Sequence, residues 1–500
     1  MHKFISNILF ILTAEKKHGT IESIKYLPPG NVLPIPLGHR RNGGKGVYFF
    51  VRRFFMNNKT YFFQFFQYAS FNVLGMLGLS CYILADTFFI SKGLGANGLA
   101  ALNLAIPVYS FIHGSGLMLG IGGGTKYAIL NGKEIRDLAD ETFTAAAKLT
   151  AALSIFFVLL GIFFSGAAAR FLGADDAVFH MTKTYLQVIL LFAPMFMLNN
   201  LLLCFVRNDG APHLAMAAML GGSLSNIVLD YVFIFPLNMG IFGAVLATGL
   251  APVVSLMILS PFFIRKQNRF HFIKSRLSST CALASGILSS GLPSLVTEVS
   301  SGIVIIVFNI IILKLQGNIG IAAYCVVANL SLVVIAIYTG IAQGVQPILA
   351  NCHGVGDRAG VHVVLRYALI AAAAVSAVVY AGVFFGAEQI AKIFNSGHNA
   401  LLQAIAVRGL KLYFTGCLFA GVNIILSVYF TSTEVPRPAH VISLLRGFVI
   451  ILPMAFLLSA AFGIDGVWCA FPATELMVSV IGFAWYFNKK RRSKLLRRRV

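Results

Sequence analysis

The sequence predicts an all-α integral membrane protein: twelve transmembrane helices arranged as two six-helix lobes related by a parallel repeat. Three observations carry that expectation. Hydrophobic residues make up 58% of the 500 residues and charged ones only 11%, with a mean hydropathy of +0.83. A water-soluble domain carries about 25% charged residues, so this chain cannot cover its own surface in water. Twelve apolar segments follow one another after residue 64, each long enough to cross a bilayer as a helix. The chain also matches itself at an offset of 222–223 residues.

Taken in order, residues 1–60 read as an N-terminal arm without fixed structure. Pro28, Pro29, Gly30, Pro34, Pro36, Gly43, Gly44 and Gly46 punctuate it, and its apolar run 5–12 is too short to span. The apolar segments are 66–91, 99–125, 145–168, 183–205, 213–236, 241–264, 286–314, 321–350, 363–386, 410–431, 439–462 and 464–487. Several contain proline, among them Pro107, Pro194, Pro252, Pro293, Pro347, Pro453 and Pro472. Within a bundle such prolines mark kinks that neighbouring helices satisfy. The expected organisation is an N-lobe over 61–264, a cytoplasmic linker over 265–285, a C-lobe over 286–487 and a basic tail over 488–500.

The net charge of +22 would suggest nucleic acid if it covered a folded surface. Its placement excludes that reading. One side of the twelve-span arrangement takes only Lys92, Arg170, Lys183, Lys314, Lys392, Arg408 and Lys411, leaving the other 32 of 39 lysines and arginines on the side of the termini. Positive charge gathers on the cytoplasmic side of spanning segments, so both termini are expected there. The seven cysteines, from Cys81 to Cys469, form no CxxC pair, which argues against a zinc site or a disulfide framework.

The repeat supports two equivalent halves. Gly95, Gly98, Ala100 and Ala101 fall on Gly317, Gly320, Ala322 and Ala323, and Gly122 on Gly344, at one shift; Gly240 and Gly243 fall on Gly463 and Gly466 one residue later. Duplication of this kind places a solute path between the lobes of secondary transporters. No phosphate-binding loop of the Walker A type is present. Gly93, Gly95 and Gly98 fit a dinucleotide-binding pattern, but they sit between two spanning segments with no strand before them.

Acidic residues inside the spans carry the sharper signal. Asp86, Asp230, Glu298 and Glu475 fall in apolar segments, where each charge costs about 2.5–3.5 kcal/mol at a helix centre. Carboxylates without fixed partners suit a reversible cation, a proton or a sodium ion; a protonated carboxyl bonding across helices is the structural alternative. Asn226 and Asp230, four residues apart, share a helix face. An amide carbonyl above a carboxylate offers hard oxygen ligands, and Asp86 and Thr248 can complete the set. Glu298, with Gln343 and Tyr324, forms the candidate substrate or second proton site, while Glu475 reads as structural.

Ala85, Asp86 and Thr87 with Gly93 and Gly95, the glycines Gly120, Gly122, Gly123 and Gly124, and Asn226 with Asp230, Gly243, Thr248, Gly291, Pro293, Glu298, Gly344, Gln346 and Pro347 together resemble the multidrug and toxic compound extrusion (MATE) family. The resemblance covers about residues 64–487 and looks nearest to its bacterial drug exporters. It implies a two-lobed antiporter that exchanges cytoplasmic drug for external sodium or protons, with Asp86, Asn226, Asp230 and Thr248 as its N-lobe cation set and Glu298 as its seventh-helix glutamate. If the ion is sodium, Asp86 and Asp230 are its metal ligands. Some members carry an acid in the tenth helix, which is absent here between Arg408 and Ser432. The chain is thus expected to be a monomeric exporter of toxic organic cations in a bacterial plasma membrane, in contact with lipid, with no enzymatic activity, cofactor or nucleic acid. A lipid or oligosaccharide flippase of related fold is the alternative.

Overall fold

The computed structural model describes residues 58–395 and 399–497. Most of the arm read from the sequence lies outside them, although helix already begins at Asn58. The run Asn58–Gly132 is two helices joined by one residue, Gly95, at φ 64° and ψ −155°. The run Leu277–Val355 breaks identically at Gly317, φ 60° and ψ −153°. Both pairs of angles belong to glycine's part of conformational space. We label the halves α1 (58–94), α2 (96–132), α7 (277–316) and α8 (318–355).

Between them lie α3 (Arg136–Phe171), α4, α5 (Pro212–Ile234) and α6 (Gly240–Ile264). Helix α4 consists of Phe179–Leu191 and Ala193–Asn208, bent by 46° ahead of Pro194. The second lobe continues with α9 (Arg358–Phe394), α10 and α11, and ends with α12 (Ile464–Arg497). Helix α10 joins Ala400–Tyr413 to Cys417–Ser432 through a tight turn, and α11 joins Pro436–Leu444 to Ile451–Phe462 through a wide one at Leu445–Val449. Among the described residues nine unbroken helices are long and apolar enough to cross a membrane, ten with the bent α4 counted as one; dividing the two longest at their glycines gives twelve. Helix α7 takes up the second half of the expected linker, and α12 runs on past the apolar segment into the basic tail.

Each lobe has its own core. Ile112, Leu119, Phe143, Leu186 and Phe205 centre one; Phe308, Tyr338, Phe414, Phe430 and Trp468 centre the other, which also receives Tyr61, Phe65 and Ala69 from the first turns of α1. The lobes meet on the side where α1 begins, the basal side. Small residues let helix backbones touch there. A Cβ on Gly291 of α7 would lie 1.8 Å from the Met118 carbonyl oxygen of α2, and one on Gly122 of α2 would lie 2.0 Å from that of Ile287. The repeat partner Gly344 on α8 meets α1 in the same manner, 2.7 Å from the Tyr68 oxygen. Towards the distal side the fit loosens, and a Cβ on Gly302 would meet nothing nearer than 3.6 Å.

Polar groups complete the basal closure. Gln346 of α8 donates to Thr125 Oγ1 of α2 at 2.9 Å and exchanges hydrogen bonds of 3.2 Å with Asn208 of α4. Lys133 and His353 both reach Glu434, at 3.2 and 3.3 Å. The linker 265–276 is pinned to the first lobe: Arg269 N–H donates to Asp209 Oδ2 at 2.7 Å and His271 N–H to Asp140 Oδ1 at 2.9 Å, with Phe270 buried against Phe143 at 4.6 Å between ring centres. Burial raises the Asp209 carboxyl above its ordinary range, and the bonds from Arg269 and Tyr127 offset part of that rise. All seven cysteines are free; Cys81, Cys281 and Cys325 are exposed and Cys204, Cys352 and Cys417 buried.

Candidate functional site

Asp86 on α1 and Asp230 on α5 are buried and lie within hydrogen-bonding reach of one another. Asn226, one turn before Asp230, lies between that carboxylate and α6: in one amide orientation its N–H donates to Asp230 Oδ2 at 3.1 Å and its oxygen accepts from the Thr248 backbone N–H at 3.3 Å, and in the other its oxygen faces the carboxylate. The sequence suggested the Asn226 oxygen as an ion ligand, and the second orientation is the one that would offer it to a cation at the pair. Thr248 Oγ1 donates to its own helix at Ala244, 3.2 Å away. Asp86 Oδ1 and Asp230 Oδ1 are buried with no partner. Two carboxylates at this separation repel unless a proton or cation lies between them, and buried oxygens without partners are costly. The arrangement therefore holds two oxygens ready for a positive charge.

Beside the pair, Tyr82 of α1 and Tyr109 of α2 share a hydrogen bond of 2.9 Å. Both line a cavity between the lobes. Its wall is mixed: Met76, Met219 and Phe196 supply adaptable apolar surface, Asn199, Asn200 and His113 polarity, and Glu298 a carboxylate. Glu298 and Gln343 also border a second, smaller cavity, with Thr297, Asn423 and Arg446. These two sequence candidates thus meet at the junction of both cavities.

Tyr324 does not join them, which corrects the sequence reading. It is buried in the second core between Phe308 and Trp468, at 5.7 and 6.1 Å between ring centres, and lines neither cavity. An aromatic residue on the inward face of α8 packs on its own lobe. Glu475 is held by Arg446 Nε at 2.5 Å and by Asn423 Nδ2 at 2.6 Å, an internal ion pair set by the wide turn of α11. At the repeat offset of 222, Asp86 corresponds to Phe308, so the second lobe has no counterpart of the carboxylate pair. Sequence reasoning missed Arg207, which it counted with the surface charge of the basal side. Its side chain turns inward, 2% exposed, and lines the larger cavity.

The MatE family model matches residues 73–232 and 293–457, one match in each lobe. The multidrug export protein MepA of Staphylococcus saprophyticus is 27% identical over 397 residues, 79% of this chain and 86% of the relative. Its namesake from Staphylococcus haemolyticus is 26% identical over 419 residues, 82% and 91% of the two chains. Among solved structures, a multidrug resistance MATE family transporter of the MOP superfamily in its outward-facing conformation superposes with a TM-score of 0.80 at 24% identity, over 87% of this chain and 96% of that one. A MOP superfamily transporter from Pyrococcus furiosus Vc1, described as having a binding pocket of reverse polarity, gives 0.79 at 23% identity over 86% and 96%.

Proposed function

Because this chain belongs to the MatE family, we propose that it is a secondary active antiporter that exports amphiphilic, amine-bearing drugs from the cytoplasm in exchange for protons. The observation that carries this reading is the adjacency of the Asp86–Asp230 pair, with its two free buried oxygens, to an interlobe cavity walled by methionine, tyrosine and one carboxylate. Two carboxyl groups within hydrogen-bonding reach can share one proton with no further ligand, and Thr248 Oγ1 is committed to Ala244 of its own helix. That chemistry fits a proton more readily than sodium, which collects several hard oxygens. The reported names of the staphylococcal relatives support drug export. The charge asymmetry of the loops supports cytoplasmic termini in a plasma membrane, and the basal closure then makes this an outward-facing state.

An ion drives transport only by binding two states unequally. In the proposed cycle Asp86 on α1 and Asp230 on α5 share the proton, and drawing α1 towards α5 changes the cavity wall at Tyr82 and Met76. Purified protein in proteoliposomes tests the scheme under separate proton and sodium gradients, with Asp86→Asn and Asp230→Asn. Each variant should lose gradient-driven ethidium efflux and keep measurable ethidium binding in detergent. Normal efflux by either variant would refute the coupling role, and drive by sodium alone would replace the proton. Movement of a fluorescent phospholipid in place of ethidium would favour the flippase.

A further inference from the structure

Arg207 ends α4 at the floor of the larger cavity and, among the described residues lining it, is the only lysine or arginine. Its guanidinium donates from Nη1 to Asn72 Oδ1 at 2.5 Å and to Gln343 Oε1 at 2.8 Å, which ties α1, α4 and α8 together. Its other edge is nearly unused. Nη2 meets only the weak acceptor Cys204 Sγ at 3.3 Å, and Nε has no partner. Among the described residues no carboxylate pairs with it, in contrast to Arg446, whose Nε is held by Glu475.

Amide oxygens satisfy hydrogen bonds without neutralising a charge, and a buried cation lacking a counter-ion is unfavourable. The uncommitted Nε–Nη2 edge is the side of the fork that a carboxylate grips with two parallel bonds. Glu298 on α7 lines the same cavity and supplies the opposite sign. One buried fixed cation and one carboxylate lining the same cavity are complementary to a molecule that carries both charges.

We propose that Arg207 is an anion-binding subsite which takes the carboxylate of zwitterionic amphiphiles, their cationic group lying towards Glu298. The assignment rests on the reading of this cavity as the drug-binding chamber. It separates two classes of compound that a purely acidic chamber would treat alike: amines with a carboxylate and amines without one.

Rhodamine B carries a carboxylate and a delocalised cation; its ethyl ester keeps only the cation. Full-length protein in detergent, in gluconate buffer, should bind the acid about tenfold more tightly than the ester, which is about 1.4 kcal/mol. Arg207→Gln should remove that preference by weakening the acid alone, and Arg207→Lys, which keeps the charge but loses the fork, should retain part of it. Glu298→Gln should weaken both dyes. Equal binding of acid and ester by the unaltered protein overturns the subsite, whatever the variants do. If the Gln variant binds neither dye, the Lys variant decides: a reduced preference supports the fork, and an undiminished one overturns it. Should exchange of gluconate for chloride bring the acid down to the ester, the edge holds a small anion and the substrate assignment is overturned. Dye binding with the expected ratio but no transport in proteoliposomes would instead sink the exporter reading and leave the subsite standing.

Discussion

Replacing Gly291 by alanine should drive the lobes apart on the basal side. The added Cβ would lie 1.8 Å from the Met118 carbonyl oxygen, and contacts below 3.0 Å are essentially never adopted, so α7 and α2 must separate by 1.2 Å at this level. The obstructing atom is helix backbone, which cannot rotate away. Overpacking of this kind costs about 1–3 kcal/mol. The contact exists only when the basal side is closed, so the whole penalty falls on that state and shifts the closed-to-open ratio by about 5–150-fold. Gly122→Ala, 2.0 Å from the Ile287 oxygen, should act in the same direction, whereas Gly302→Ala, with nothing nearer than 3.6 Å, should not. Cys204 reports the change, since it is buried at the cavity floor behind the basal closure. With the other six cysteines replaced, its labelling by an impermeant maleimide in inside-out vesicles should accelerate in the Gly291 and Gly122 variants. Unchanged labelling in protein that still elutes as a single species would refute the assignment of these glycines to the closing contact.

Glu475→Leu strands Arg446 in the second lobe and should cost about 3–5 kcal/mol, read as a lower melting temperature in detergent; Glu475→Leu with Arg446→Met should recover most of it. Deleting residues 2–55 should leave membrane abundance and ethidium efflux intact, and loss of efflux at equal abundance would show that the arm takes part in transport. An aspartate whose folded pKa is raised binds its proton more tightly folded than unfolded, so Asp209 removes stability as pH climbs above its ordinary value of 3.8. The melting temperature of Asp209→Asn should therefore fall less than that of the parent over that rise, and identical slopes would contradict it. A cysteine placed beside Arg170 or Lys392 should react with impermeant maleimide on intact cells and one beside Arg269 should not; the reverse pattern would invert the topology.

The helices were legible because their signal is local. A run of about 20 apolar residues suffices to cross a bilayer, and each of the twelve segments lies within one helix or bent pair, save that 213–236 overruns α5 by two residues. Asn226 and Asp230 were legible for the same reason, a spacing of four on one helix. Their joining to Asp86 rested on chain order and on the family resemblance, since the contact between α1 and α5 is not written in either segment. Arg207 was misread because Arg207, Asn208, Asp209 and Gly210 together have the composition of a surface loop. Only the meeting of α1, α4 and α8 buries the first of them. Tyr324 failed in the opposite way. Polar atoms within a spanning helix suggest a path, but its ring is enclosed by Phe308 and Trp468, which come from distant parts of the chain. The packing of Asn226 against the Thr248 backbone of α6 has no sequence signature at all.

The one-residue turns at Gly95 and Gly317 leave no slack between the helices they join. Were α1 and α2 to turn as one body about Gly95, they would be the unequal arms of a lever. Asp86 stands nine residues from the pivot, and Gly122 stands 27 residues out on the other arm, about 13 Å and about 40 Å at the helical rise. A displacement at the proton-binding carboxylate is thus magnified about threefold where the lobes touch. In the proposed cycle, that gearing would carry a small movement at Asp86 to the basal contact of Gly122 enlarged, with one residue between the helices to absorb it.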